Sequence, residues 1–178
     1  MSNVDTIPSA QASPFWAFSL GYYRSVGVAE ACLALQDRCG ADVNVVLFLL
    51  WSATQKRRLN AEAVQMLTDK VRAWHGEVVT PIRNLRRMLK SNPSLLDTGS
   101  VAVFRNKIKA VELEAERLQQ EAMFALVPSL PFETVTSVDE AAQANIATYQ
   151  TVTGRSLEAT ATNTLLTALG QRASGEKK

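Results

Sequence analysis

Residue types that mark several protein classes are scarce in this chain of 178 residues, which has 2 cysteines, 1 histidine, 8 glycines and 6 prolines. Few glycines and prolines disfavour a turn-rich all-β fold. In the helix predicted for Cys32 and Cys39, their Cα atoms would be ~10 Å apart, beyond the ~7 Å limit for a disulfide. We therefore expect two small buried side chains. With a single histidine available for ligation, we expect no metal site and no cofactor.

Long apolar segments are also absent. The longest uninterrupted apolar run, Val45 to Trp51, has seven residues, whereas a membrane-spanning helix needs ~18 or more. The first 14 residues contain neither a basic segment nor an apolar core, so they do not have the pattern of a secretory signal. We expect a soluble cytoplasmic protein that does not associate with a membrane.

Apolar residues make up 47% of the chain, a proportion typical of a globular domain, and their spacing predicts helices. Pro14 suits the first turn of a helix that Ser13 caps. Gly40 suits the end of a second helix, and Asp42 the N-cap of a third. The first helix begins at Pro14, and the others are predicted at about residues 28–39, 43–58, 60–90, 101–125, 138–149 and 156–169.

Two prolines, Pro128 and Pro131, divide the predicted helices into two groups, because a proline ends the helix before it. Upstream, residues 14–127 are predicted to form a compact bundle domain of about five helices. Residues 1–13 are small and polar, and we interpret them as a flexible leader. The predicted fold class is therefore all-α.

The C-terminal part differs from the bundle in composition, since residues 131–178 hold 9 threonines and 8 alanines. Ser137 and Glu140 form a capping box for one helix, and Ser156 can cap another. We predict a Thr/Ala-rich helical extension over residues 128–178, with two loosely packed helices. The last six residues are expected to be disordered.

Aromatic residues concentrate near the start of the bundle. Five of the 12 aromatic residues lie within residues 15–23. We interpret this aromatic segment as an anchor of the core, with Phe15, Trp16 and Tyr22 as its principal members.

The predicted helix at residues 60–90 carries both an apolar stripe and most of the positive charge. Residues 51–90 contain 9 basic and 3 acidic side chains. Pro81 interrupts the helix, which either kinks there or restarts with Thr80 as its cap. The apolar stripe has heptad-like spacing and consists of Leu67, Val71, Trp74, Val78, Ile82, Leu85 and Leu89. At ~100° per residue, five cations lie on the opposite side, and we call them the basic face: Arg72, Arg83, Arg86, Arg87 and Lys90.

The basic face supports the first functional hypothesis. No acidic residue occurs within residues 82–96, so these cations would repel one another unless an anion or an acidic surface is present. We predict that the chain is a non-enzymatic interaction or adaptor protein that binds an acidic protein or an RNA. No aromatic residues stand among these cations, which argues against base recognition, and there is no DNA-binding motif. The alternative is the solvated polar face of an ordinary amphipathic helix.

The segment LQDRCGADVN, residues 35–44, supports a second hypothesis. Asp37, Asp42 and Asn44, which we call the acidic turn, bring two carboxylates and an amide to one tight turn. Such groups can bind a small ligand or a metal, or polarise a water molecule, and Trp16 and Tyr22 would close the pocket. The chain would then be an enzyme or a ligand-binding protein. The structural alternative is that these side chains only satisfy the free N–H and C=O groups of two helix ends.

Two further features leave alternatives open. His75 lies about 50° to the side of the apolar stripe and titrates in a range that suits a general base. The simpler interpretation is a partly buried packing residue, and without an accompanying nucleophile pattern no catalytic residue is assigned. The heptad seam predicted near residues 101–125, from Leu118 to Ala125, would also allow a homodimer.

The segment FWAFSLGYYRSVGVAEACLALQDRCGADVNVVLFLLW, followed by Trp74 and PIRNLRRMLK, resembles a family of small bacterial proteins. That family is known chiefly from proteobacteria and is described only as a domain of unknown function. The resemblance covers about Pro14 to Val127. It implies a compact helical domain with no established activity, so no catalytic residue carries over. It points to the aromatic segment, the acidic turn and the Arg86–Arg87 segment without assigning a role to any of them.

Overall fold

The structure is a computed structural model that describes residues 12–91 and 98–175. These residues are predominantly helical with one two-stranded sheet, which confirms the all-α prediction. The predicted leader, apart from residues 12 and 13, lies outside the described residues, as do residues 92–97 and 176–178. The elements are α1 (Pro14–Tyr22), α2 (Val28–Cys39), α3 (Val43–Thr54), β1 (Arg57–Leu59), α4 (Ala61–Trp74), a π-helical turn (His75–Val79), α5 (Thr80–Ser91), α6 (Thr98–Phe124), a 3-10 turn (Val127–Ser129), β2 (Phe132–Thr134), α7 (Val138–Thr153) and α8 (Ala159–Gly175).

Local capping sets the ends of the first helices, as predicted. The Ser13 hydroxyl accepts a hydrogen bond from the Trp16 backbone N–H at 3.1 Å and begins α1. Gly40 ends α2 with a φ of 61°, a left-handed conformation that glycine adopts without steric cost. The Asp42 carboxylate caps α3 by accepting from the Asn44 N–H at 3.0 Å.

Helix α3 is the centre of the bundle, because every residue from Val43 to Ala53 is buried. The prediction that this helix continues to Arg58 is wrong. It ends at Thr54, and the backbone turns at Lys56, whose φ is 57°. The cations that follow belong to β1, which pairs antiparallel with β2.

The π-helical turn between α4 and α5 changes the face that the long predicted helix buries. Pro81 lacks a backbone N–H, and its ring clashes with the carbonyl four residues earlier, so a regular α-helix cannot continue through it. The wider turn accommodates the proline, and its extra residue rotates the following helix by roughly 100°. The apolar stripe is therefore not continuous: Val71, before the turn, is buried, but Leu85, after it, is 37% exposed. Val79 and Arg83 take the inward positions instead.

Helices α7 and α8 are part of the hydrophobic core, so the prediction of a looser extension is wrong for them. Helix α7 packs along α3, and α8 packs along α2. Ala141, Ile146 and Tyr149 of α7 and Leu165 of α8 are buried in the same cluster as α3. The small alanine side chains that suggested weak packing let the helices approach closely. Residues 173–175, predicted to be disordered, continue α8.

The aromatic segment divides between the core and the surface. Phe15 and Tyr22 are fully buried. The Phe15 ring packs edge-on against Phe48 with 5.1 Å between centroids, and the Tyr22 hydroxyl donates to the Leu165 carbonyl at 2.5 Å. Trp16 is only partly buried.

Among the described helices, none is long and apolar enough to cross a membrane.

Candidate functional site

A cleft opens where the N-terminus of α3 meets α4, the π-helical turn and α7. Its volume is about 360 Å³, which lies in the range of small-molecule sites. We call it the Asp42 cleft. Its polar walls include Asp42, Gln65, Arg72, His75, Tyr149 and Arg155.

Asp42 lies at the inner wall of this cleft with only 14% of its side chain exposed. One carboxylate oxygen, Oδ1, accepts the helix-capping hydrogen bond from Asn44. The other, Oδ2, accepts from the Gln119 amide at 2.6 Å. The backbone N–H of Asp42 donates to the Tyr149 hydroxyl at 3.1 Å. Capping therefore occupies one oxygen, and the second is directed towards other side chains.

His75 stands beside that second oxygen. Its Nδ1 atom lies 3.2 Å from Asp42 Oδ2, an ion-pair distance, and 23% of the side chain is exposed to the cleft. The ring is turned so that Nδ1, although buried, has no aligned hydrogen bond among the described residues. His75 directly follows α4 as the first residue of the π-helical turn. An imidazole and a carboxylate thus meet at the surface of a cavity.

Burial dominates the electrostatics of Asp42. It raises the pKa of Asp42, while the nearby His75 and the hydrogen bonds from Gln119 and Asn44 act in the opposite direction. Burial also raises the pKa of the Tyr149 hydroxyl to about 12. Tyr149 therefore keeps its proton at neutral pH and can donate it into the cleft.

The raised pKa of Asp42 predicts a pH dependence of stability. Because the folded state binds the Asp42 proton more tightly than the unfolded chain, the contribution of Asp42 falls as the pH rises above its ordinary pKa of ~4. Asp42→Asn cannot ionise and keeps a capping oxygen. We expect the free energy of unfolding of wild type minus that of Asp42→Asn to decrease from about pH 4 towards neutrality. Urea unfolding at a series of pH values measures this difference, and a flat or rising difference would contradict the assignment.

Arg155 closes one side of the cleft. Its Nη1 atom donates to the Cys39 carbonyl at the end of α2, at 3.2 Å. A Cβ atom at Gly40 would lie 2.7 Å from that same nitrogen and would displace the flexible arginine side chain, while the positive φ is what favours glycine there. Arg72 lines the opposite side and pairs with Asp69, three residues earlier on α4. Two guanidinium groups therefore border the opening.

The three members of the acidic turn do not form one site. Asp37 lies on the surface, where its carboxylate accepts from Arg87 at 2.5 Å, and this hydrogen bond holds the pKa of Asp37 below its usual range. Asn44 is buried, donating to Gln119 at 3.3 Å and accepting from Gln120 at 2.8 Å. Of the turn, only Asp42 lines the cleft.

The premise that the basic face lacks acidic partners is wrong. Arg83 is buried and contacts two carboxylates of α6, through Nε to Glu112 at 3.0 Å and through Nη2 to Glu116 at 2.5 Å. Arg86 donates to Glu112 as well, with one bond of 3.1 Å. These partners lie 26–33 residues farther along the chain, and the rotation at the π-helical turn directs the arginines towards them. The remaining cations are at the surface: Arg72 with Asp69, Arg87 with Asp37, and Lys90 exposed near the end of α5.

Several residues of the site were not found from the sequence. Gln119 and Tyr149 contact Asp42, and Arg155 contacts the Cys39 carbonyl, from positions 77 to 116 residues away, and no local pattern marks them. His75 was considered as a base, but nothing in the sequence pairs it with Asp42. Within residues 12–91 and 98–175, no three histidine, cysteine or acidic side chains converge as a metal site.

Comparisons with known proteins give a family and no activity. Residues 14–123 match the model of a family described as "Protein of unknown function (DUF2390)". No curated protein and no solved structure matches the chain.

Proposed function

The chain belongs to this family, whose description names no activity, and we propose that it is a small-molecule-binding protein that takes a compact anion, a carboxylate or a phosphate, in the Asp42 cleft. The observation that carries the proposal is the contact between His75 and the buried Asp42 at the wall of a cavity that two arginines border. The proposed location is the cytoplasm, as expected from the sequence.

The balance of charge favours an anion. Arg72 and Arg155 line the cleft as cations, whereas the Asp42 carboxylate is enclosed and already accepts hydrogen bonds from Asn44 and Gln119. A guanidinium group recognises the paired oxygens of a carboxylate or phosphate through two parallel N–H donors. Among the charged groups that line the cleft, two guanidinium groups therefore stand against one carboxylate, and the Asp69 partner of Arg72 does not line it.

The neutral groups of the cleft complement this charge. The Tyr149 hydroxyl accepts the Asp42 backbone N–H, so its own proton is available to a ligand oxygen. His75 offers a further ring nitrogen. Because the Nδ1 atom faces Asp42 at 3.2 Å, the other ring nitrogen is the one left for a ligand.

Calorimetric titration with sodium phosphate and with sodium acetate, at constant pH and ionic strength, tests the proposal. We expect saturable binding of at least one of these anions. Arg155→Ala should weaken it by about tenfold or more, because a charge-assisted hydrogen bond contributes roughly 1.5 kcal/mol.

The matched control is Arg117→Ala. Arg117 lies on α6, pairs with Glu114 three residues earlier and does not line the cleft. This variant should bind as wild type does. Absence of saturable binding of either anion, or equal weakening by the two substitutions, would overturn the proposal.

The hypothesis of an interaction protein remains a prediction, but less supports it than the sequence indicated. Arg83 and Arg86 contact carboxylates of α6, so an acidic protein or an RNA would meet mainly Arg72, Arg87 and Lys90. The homodimer also remains a prediction, which the mass of the protein in solution would test.

A further inference from the structure

A second cavity lies on the other side of the α3 N-terminus, between α1, α2, α5 and α6. Its volume is about 440 Å³, and it shares no lining residue with the Asp42 cleft. Asn44 reaches into it, whereas Asp42, two residues earlier, lines the first cavity. We call it the Trp16 cavity. Its properties are independent of the function proposed for the cleft.

The walls near its opening are apolar and unusually exposed. Leu20 is 42%, Tyr23 40%, Leu33 51% and Leu113 47% exposed, and all four line the cavity together with Trp16. Large apolar side chains gathered around one concave opening are typical of a ligand site. Two aromatic rings among them suit a flat, apolar molecule.

The inner wall of the cavity carries charged side chains, most of which form ion pairs with one another. Arg83 and Arg86 meet Glu112 and Glu116 there, and Lys109 also lines the cavity and is exposed. Three cations against two carboxylates leave an excess of one positive charge. The charge of this cavity therefore favours an anionic group on the ligand.

Two buried polar atoms in the wall have no partner among the described residues. Ser19 and Gln120 are each only 2% exposed, and both line the cavity. Gln120 donates its amide N–H to Asn44, which leaves its Oε1 atom without a hydrogen bond, and the Ser19 Oγ atom also has none. Buried polar atoms are normally hydrogen-bonded, so the Gln120 Oε1 atom indicates that a donor is supplied from within the cavity. The Ser19 hydroxyl can either donate to a ligand or accept from it.

We propose that the Trp16 cavity binds a small aromatic carboxylic acid that carries an N–H or O–H donor. The ring lies against Trp16 and Tyr23, its donor reaches the Gln120 carbonyl oxygen, and its carboxylate meets Arg86 and Lys109. Each part of this ligand corresponds to a separate feature of the wall: exposed aromatic surface, the unpaired Gln120 oxygen and excess positive charge.

Titration calorimetry with three probes tests this assignment. Indole-3-acetate has all three features, 1-naphthaleneacetate lacks the N–H, and 3-methylindole lacks the carboxylate. We expect saturable binding of indole-3-acetate, about tenfold or more tighter than that of either other probe. No saturable binding, or equal affinities for the three probes, would overturn the proposal.

Two matched variants locate the bound probe. Leu33→Glu places a carboxylate at the rim of the cavity and should weaken binding of indole-3-acetate by about tenfold or more. Leu118→Glu is the control, because Leu118 is exposed to a similar degree, 44% against 51%, and lies outside the cavity. Both side chains are at the surface, so both variants should fold. Equal affinity of the two variants would contradict the location.

Discussion

Replacing Arg83 by methionine is expected to lower the free energy of unfolding by about 3–5 kcal/mol, the usual cost of removing one partner from a buried ion pair. Only 9% of the Arg83 side chain and 7% of that of Glu112 are exposed. Methionine preserves much of the volume but leaves the carboxylates of Glu112 and Glu116 with less compensation. The loss of stability arises because the two carboxylates stay buried without their cation. It therefore measures the cost of removing one partner, and not the net contribution of the ion-pair cluster to the free energy of unfolding.

The pKa values of the two glutamates follow from the same cluster. Burial opposes ionisation of Glu112, but the hydrogen bonds from Arg86 and Arg83 outweigh it and lower its pKa. At Glu116 burial prevails and raises the pKa, although Arg83 opposes it. Without Arg83, both carboxylates lose the cation that favours their charged form.

Urea unfolding monitored by circular dichroism measures the loss. Arg87→Met is the control, since the Arg87 and Asp37 side chains are 41% and 43% exposed, and a surface pair contributes only about 0–1 kcal/mol. A loss below about 1 kcal/mol for Arg83→Met would show that Arg83 is solvated, as a freely exposed basic face requires.

Asn145→Ala is expected to lower the free energy of unfolding by about 2–4 kcal/mol, because it leaves several buried backbone groups without partners. Asn145 is fully buried. Its amide donates to the carbonyls of Leu49 at 3.1 Å and Arg57 at 3.0 Å, and its Oδ1 atom accepts from the Leu59 N–H at 2.7 Å. One side chain of α7 thereby joins the centre of α3 to β1.

The control for this prediction is Gln143→Ala, on the same helix but exposed, which should change the free energy of unfolding by no more than about 0.5 kcal/mol. Thermal and urea unfolding of both variants gives the comparison. Equal stabilities for the two variants would mean that water or a neighbouring group replaces the Asn145 hydrogen bonds.

The sequence predicted those parts of the fold that depend on neighbouring residues. Ser13, Gly40 and Asp42 each act within five positions of themselves, as N-cap or helix terminator, and residue type alone identifies such roles. The all-apolar α3 was likewise recognised as the buried centre, because a helix without a polar face has to be covered on all sides.

The errors arose where a small backbone change altered the direction of many side chains. Pro81 indicated an interruption, but a kink, a restarted helix and a π-helical turn rotate the following face differently. The turn that forms directs Arg83 inwards, and the acidic partners belong to α6, which a search of nearby residues could not reach. Asn145 gave no signal because a single amide within an alanine-rich helix is indistinguishable from a surface residue.

The candidate site contains residues that the sequence identified and residues that only tertiary packing brings together. Asp42 was recognised by its capping position, and His75 by its residue type. Their meeting depends on the placement of the end of α4 beside the start of α3, and Tyr149 and Arg155 come from the segment that we expected to pack loosely. Tertiary packing, not any local motif, assembles the cleft.

The most direct test of the central claim, that the Asp42 cleft is a binding site for a compact anion, is nuclear magnetic resonance of the imidazole of His75. The chain has 1 histidine, so its ring signals need no assignment by mutagenesis. The anion that binds by calorimetry is added at constant pH and ionic strength. Our account predicts that the His75 Cε1–Hε1 signal moves saturably in parallel with the calorimetric binding, and that Arg155→Ala shifts this curve to higher anion concentration while Arg117→Ala does not. A His75 signal that stays in place while the anion saturates, or that moves alike in both variants, would contradict it.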